Sequence, residues 1–109
     1  ANNQLMQAKT AYETALQIEP NFAAGYSNLG MTLKAMGHFE DAIAAYQQAI
    51  HLNPNYAEAY QNLGVVLLKM GKVAESLAAF EQAIALHNQQ NPDEAERLRQ
   101  GLRDIGFWV

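Results

Sequence analysis

The chain repeats itself. Residues 21–54 and 55–88 are two copies of one unit, offset by 34 positions, and 15 of the 34 aligned pairs are identical. The run Asn21-Phe22-Ala23-Ala24-Gly25-Tyr26-Ser27-Asn28-Leu29-Gly30 is answered by Asn55-Tyr56-Ala57-Glu58-Ala59-Tyr60-Gln61-Asn62-Leu63-Gly64. A period of this length belongs to stacked helix–turn–helix units. Such a unit cannot bury its apolar side alone. It stacks on its neighbours, and the stack leaves an extended curved surface open to another protein.

Within each copy the apolar residues fall at helical spacing. Tyr26, Leu29, Gly30 and Leu33 recur at i, i+3, i+4 and i+7, and Phe39, Ala42, Ile43, Tyr46, Ala49 and Ile50 do so again. Gly37 stands between the two runs, where a helix end accepts a left-handed residue. Pro54 closes the unit and Asn55 suits the turn that opens the next. The spacing predicts helices over 22–36, 39–52, 56–70 and 73–87. Gly30 with Ala49, and Gly64 with Ala83, mark close helix crossings, and the rings of Tyr46 and Phe80 fill the space beside them.

The register runs backward. Leu5, Ala8, Tyr12, Ala15 and Pro20 match Phe39, Ala42, Tyr46, Ala49 and Pro54, so residues 1–20 read as the second helix of a repeat whose first helix is missing. We therefore expect the C-terminal end of a longer array. The register does not run forward, because Glu94, Arg97 and Leu98 occupy the Tyr, Leu and Gly places. Residues 89–109 read instead as a capping helix and tail. Pro92 with Asp93 and Glu94 opens that helix, Leu98, Leu102 and Ile105 form its apolar stripe, and charges cover the other side. Phe107 and Trp108 either fold back over the last hairpin, which we expect, or stand exposed as a binding anchor.

These positions resemble a tetratricopeptide repeat. That family carries an aromatic residue, Leu-Gly, a helix-ending Gly, Ala, an aromatic, Ala and a closing Pro. Here the places are held by Tyr26, Leu29-Gly30, Leu33, Gly37, Ala42, Tyr46, Ala49 and Pro54, then by Tyr60, Leu63-Gly64, Leu67, Gly71, Ser76, Phe80 and Ala83. The second copy departs at Ser76 and at Asn88, where Ala and Pro would stand, which leaves the spacing of the last hairpin open. The resemblance implies an all-α right-handed superhelix of about six helices. Tyr-x-Asn-Leu-Gly with Ala-Ile-x-x-Tyr is most similar to the repeats of O-linked GlcNAc transferase and its bacterial relatives. In those arrays the Asn before Leu-Gly lines a concave groove and grips bound backbone, and Asn28 and Asn62 hold that position.

An Asn amide both donates and accepts, so it pairs with the backbone of any peptide. The alternative for Asn28 and Asn62 is that each braces a neighbouring helix. On the same helix face we expect Ala24, Ser27, Met31, Lys34 and Ala35, then Glu58, Gln61, Val65, Leu68 and Lys69. Met31, Val65 and Leu68 would give an apolar floor. Lys34 and Lys69 either meet acidic groups or are ordinary solvated charges. The family's chaperone-binding members clamp a C-terminal carboxylate with several Lys, Arg and Asn residues. Only the Asn element is present, with Ser27, Gln61, Met31 and Val65 in the other places, so that specificity is not expected.

Other chemistries find little footing. The formal charge is −4 and the pI near 5.2, which does not attract a phosphate backbone, so nucleic acid is not an expected partner. No stretch reaches the length of a membrane span. Cysteine is absent, which excludes disulfides and thiolate metal sites and fits the cytoplasm we expect, though other compartments fit too. His38, His51 and His87 share no metal-ligand spacing and read as surface or helix-end residues. The carboxylates Glu40-Asp41 and Asp93-Glu94 lie at helix starts, where they offset the dipole. We expect no cofactor and no catalytic residues. The expected activity is binding of a peptide or protein segment in the concave groove. The rivals are the substrate-recruiting arm of a larger enzyme, such as a glycosyltransferase, and self-assembly through the first helix.

Overall fold

The computed structural model describes residues 2–107, six α-helices and no strand among them. They are α1 (Asn2–Ile18), α2 (Ala23–Ala35), α3 (Phe39–Leu52), α4 (Ala57–Lys69), α5 (Val73–Gln90) and α6 (Pro92–Asp104). Each helix packs on the next along the chain, and α2 also touches α4, so the molecule is a short stack with extents of 41 × 27 × 21 Å. The helices expected over 22–36, 39–52 and 56–70 are found within a residue at each end.

The core follows the repeat. Leu33, Ala42, Ala45, Tyr46, Leu63, Val66, Leu67 and Ala79 form one buried cluster at the α2–α5 junction. Phe80, Ile84, Ala95 and Leu102 form a second between α5 and α6. The glycines at the two crossings are sterically required. A Cβ on Gly30 would lie 2.7 Å from the Tyr46 ring, and one on Gly64 would lie 2.9 Å from the Phe80 ring. Ser76 keeps the last hairpin in register, because its buried hydroxyl donates to the Gly64 carbonyl at 2.7 Å. An Ala-to-Ser change that would otherwise bury an orphan polar group is thereby satisfied.

Two expectations need correction. The helix predicted over 73–87 continues to Gln90, because Asn88 stands where Pro54 stopped α3. Its last turn braces the preceding loop, where the Gln90 side-chain amide donates to the Asn55 carbonyl at 2.8 Å. The register does continue past residue 88, at a step of 35 rather than 34. The helices α2, α4 and α6 each have 13 residues and each ends two residues before a glycine with positive φ: Gly37 at 80°, Gly71 at 77°, Gly106 at 78°. The closing bonds are the same in all three. The Gly37, Gly71 and Gly106 amides donate to Lys34, Leu68 and Arg103, and His38, Lys72 and Phe107 donate to Leu33, Leu67 and Leu102. Only glycine adopts this left-handed turn without strain. Residues 92–107 thus repeat the helix length and closing turn of α2 and α4.

The helix α6 also differs from α2 and α4 at the crossing position. Arg99 occupies the Gly30/Gly64 place, where α2 and α4 carry the glycines that the Tyr46 and Phe80 rings cover. Phe107 folds back and meets Phe80 edge-on, with ring centroids 5.7 Å apart, as expected of a cap. Trp108 lies outside the described residues.

Candidate functional site

The expected groove residues project from the first helices of the repeats, and the structure sorts them. Asn28 and Asn62 are both half-buried. Among the described residues the Asn28 main-chain carbonyl accepts the Thr32 hydroxyl at 3.0 Å, while neither Asn side chain bonds to another protein group. The bracing alternative therefore finds no hydrogen bond. Met31 is 47% exposed, an apolar side chain presented on the surface of α2. Lys34 is half-buried and Lys69 exposed, and among the described residues neither pairs with a carboxylate.

Ser27 is a correction. It is 3% exposed, because α2 packs against α1, α3 and α4 and so short a side chain does not reach past them. Gln61, one repeat later, is already engaged. His87 Nε2 lies 3.0 Å from Gln61 Oε1, a pair that closes when the ring carries its proton on Nε2. His87 is a helix-end residue as expected, but it is buried, not on the surface.

Val65 and Leu68 are half-buried. With Gln61 and Lys69 they line a groove of about 450 Å³ between α4 and α6, whose other wall carries Arg97, Leu98, Gly101 and Ile105 and whose base reaches Phe80 and Leu102. Asn28, Met31 and Lys34 lie on α2 outside this groove, so the nine expected residues are not gathered into one cavity. Arg97 was not among them. The 34-residue step points from Asn62 to Glu96, whereas the structural step of 35 places Arg97 in line with Asn28 and Asn62. The shared Gly37, Gly71 and Gly106 turns are the signal that could have located it. Its guanidinium pairs with Glu94 one turn earlier on α6.

No group of His, Cys, Asp or Glu among the described residues could hold a metal ion, and no helix among them is long and apolar enough to cross a membrane. On the opposite side, Gln47 lines a separate depression of about 440 Å³ between α3 and α5.

Helix hairpins stacked in register, with a half-open face carrying Asn and Lys, define an α-helical repeat array. Its units are tetratricopeptide repeats: family models described as tetratricopeptide or TPR repeats match residues 11–44, 32–71 and 57–90. No curated protein sequence matches the chain. Among solved structures it is similar to MamA, at 26% identity and a TM-score of 0.77 over 80% of this chain, and it spans 51% of that one. It is similar to the TPR2B domain of yeast Sti1 in complex with pHsp70, at 26% identity and a TM-score of 0.79, covering 89% of this chain and 81% of that. The TPR2AB domain of yeast Sti1 in complex with pHSP90 gives 27% identity and a TM-score of 0.84, covering 88% and 38%.

Proposed function

We propose that the chain is a non-catalytic protein-interaction module that holds an extended peptide along the face carrying Asn28, Met31, Asn62, Val65 and Lys69. The observation that carries this is the pair of Asn side chains set one repeat apart with no protein partner among the described residues. A half-buried amide without an internal partner is a ready donor and acceptor for backbone. The peptide-bound Sti1 domains support the reading, since they show this class of fold occupied by peptide. The resemblance to the repeats of O-linked GlcNAc transferase supports the same groove serving as the recruiting arm of a longer enzyme, and the chemistry of capture is the same in both settings.

The test is binding to an arrayed library of random twelve-residue peptides, compared between the chain and an Asn28→Ala/Asn62→Ala variant. Each lost hydrogen bond costs roughly 0.5–1.5 kcal/mol, so the pair should weaken all bound sequences by about 5- to 150-fold. If the double variant keeps full affinity while Gln47→Glu on the opposite side abolishes it, the binding surface has been misplaced.

A second reading, self-association through α1, is favoured by one comparison. Ala42, Tyr46 and Ala49 are 0% exposed, but their α1 equivalents Ala8, Tyr12 and Ala15 are only half-buried. Self-assembly through the first helix would use the α1 face formed by Leu5, Ala8, Tyr12, Ala15 and Leu16. That face is half-covered by α2, and Leu16 is buried.

A further inference from the structure

Three positions are equivalent by their hydrogen bonds. The Met36, Met70 and Ile105 amides close on the carbonyls of Thr32, Val66 and Gly101, at 3.0, 3.1 and 3.3 Å. Thr32 and Val66 are buried, and Val66 belongs to the main core cluster. Gly101 offers no side chain at all. A Cβ built there would meet nothing within 4 Å, so the fold itself does not require glycine. Glycine inside a helix weakens it relative to alanine. The place that Val66 fills on α4 is left open at Gly101 on α6, as part of the groove between α4 and α6.

The chemistry of that opening is specific. Its sides are the aliphatic chains of Val65, Leu68, Leu98 and Ile105. At its mouth Arg97 and Glu94 neutralise each other, which leaves the Lys69 ammonium as the one cation lining the groove without a carboxylate partner among the described residues. In a chain of net charge −4, a positive rim on an apolar notch is a local preference for acid. Asn62 sits further along the same helix, and a ligand held by backbone continues past the notch. We propose that the notch opposite Gly101 takes a branched aliphatic side chain of the bound polypeptide, with an acidic side chain of the next residue on Lys69. This rests on the proposed peptide-binding face and names what one part of it selects.

The probe is the blocked dipeptide N-acetyl-Leu-Asp-amide, followed through the methyl signals of Val65, Leu68 and Leu98 in carbon–proton NMR spectra. A fragment of this size should saturate at about 10 mM or below. N-acetyl-Leu-Asn-amide, or Lys69→Ala with the first probe, should bind at least about threefold more weakly, and added salt should erase that difference. Gly101→Val should abolish the shifts by filling the notch. Gly101→Ala should weaken them while raising the melting temperature by about 4 °C, which a damaged fold would not do. No saturable shift in the unaltered chain overturns the proposal, and so does undiminished binding by a folded Gly101→Val. Preference for N-acetyl-leucine, which presents a terminal carboxylate instead, overturns it as well. The Asn28→Ala/Asn62→Ala variant should retain the dipeptide shifts, so the peptide array and this titration can fail independently.

Discussion

Tyr46 and Phe80 hold the same place in successive repeats, and they differ by one oxygen. The Tyr46 hydroxyl is buried and has no hydrogen-bond partner among the described residues. An orphan polar atom of this kind costs about 1–3 kcal/mol. Phe80 shows that the site is complete without it, since its ring covers Gly64 as Tyr46 covers Gly30. Tyr46→Phe should therefore stabilise the chain by about 1 kcal/mol, measured by urea unfolding. Burial also pushes the Tyr46 phenol up from 10.0 to about 12. The core accepts only the neutral form, so the folded state holds that proton longer than the unfolded chain does. The stabilisation is complete below pH 10 and is lost between pH 10 and 12, by about 3 kcal/mol. The Tyr46→Phe variant should lose that part of the alkaline destabilisation, which parallel melts at pH 8 and pH 11 would reveal.

At the scale of elements, α6 is set in place by the length of α5. The helix α5 has 18 residues against 14 in α3, and one residue, Asn91, links it to α6, whereas Asn53–Tyr56 link α3 to α4. Four residues more in the helix and three fewer in the loop shift the register by one. At a step of 34 the segment 89–109 reads as a capping helix and tail, yet at a step of 35 Ala95, Leu98 and Leu102 take the Tyr60, Leu63 and Leu67 places. Ala95 and Leu102 are both buried in the second core cluster. Leu102→Ala should then cost about 2–5 kcal/mol, as a deletion within a packed core, against less than about 0.5 kcal/mol for a change on a loosely held tail. Denaturant unfolding separates the two. A change below 1 kcal/mol would show that α6 is not part of the cooperative unit.

Over the whole molecule the stack is asymmetric. Beside α6, Phe107 packs on Phe80, while α1 presents Ala8, Tyr12 and Ala15 half-covered, with Met6 and Ile18 exposed nearby. Apolar surface of this kind favours a partner. Sedimentation equilibrium should show association that rises with concentration and falls with Tyr12→Glu. A monomer at every concentration reached would remove the self-association reading and leave the groove untouched.

Local rules were enough for the hairpins. The 34-residue period, the glycines at 37 and 71 and the small-against-large pairs Gly30–Tyr46 and Gly64–Phe80 are all short-range, because a helix end or a crossing depends on a few residues whose spacing the helix itself sets. Fine sorting of the candidate face was not local. Whether Ser27 reaches the surface, or Gln61 is spent on His87, depends on helices 26 or more residues away in the chain or packed from another repeat. The notch at Gly101 has the same origin. A glycine in a helix looks like a weak point in the sequence, and only the packing of α6 beside α4 turns the missing side chain into a space between two walls.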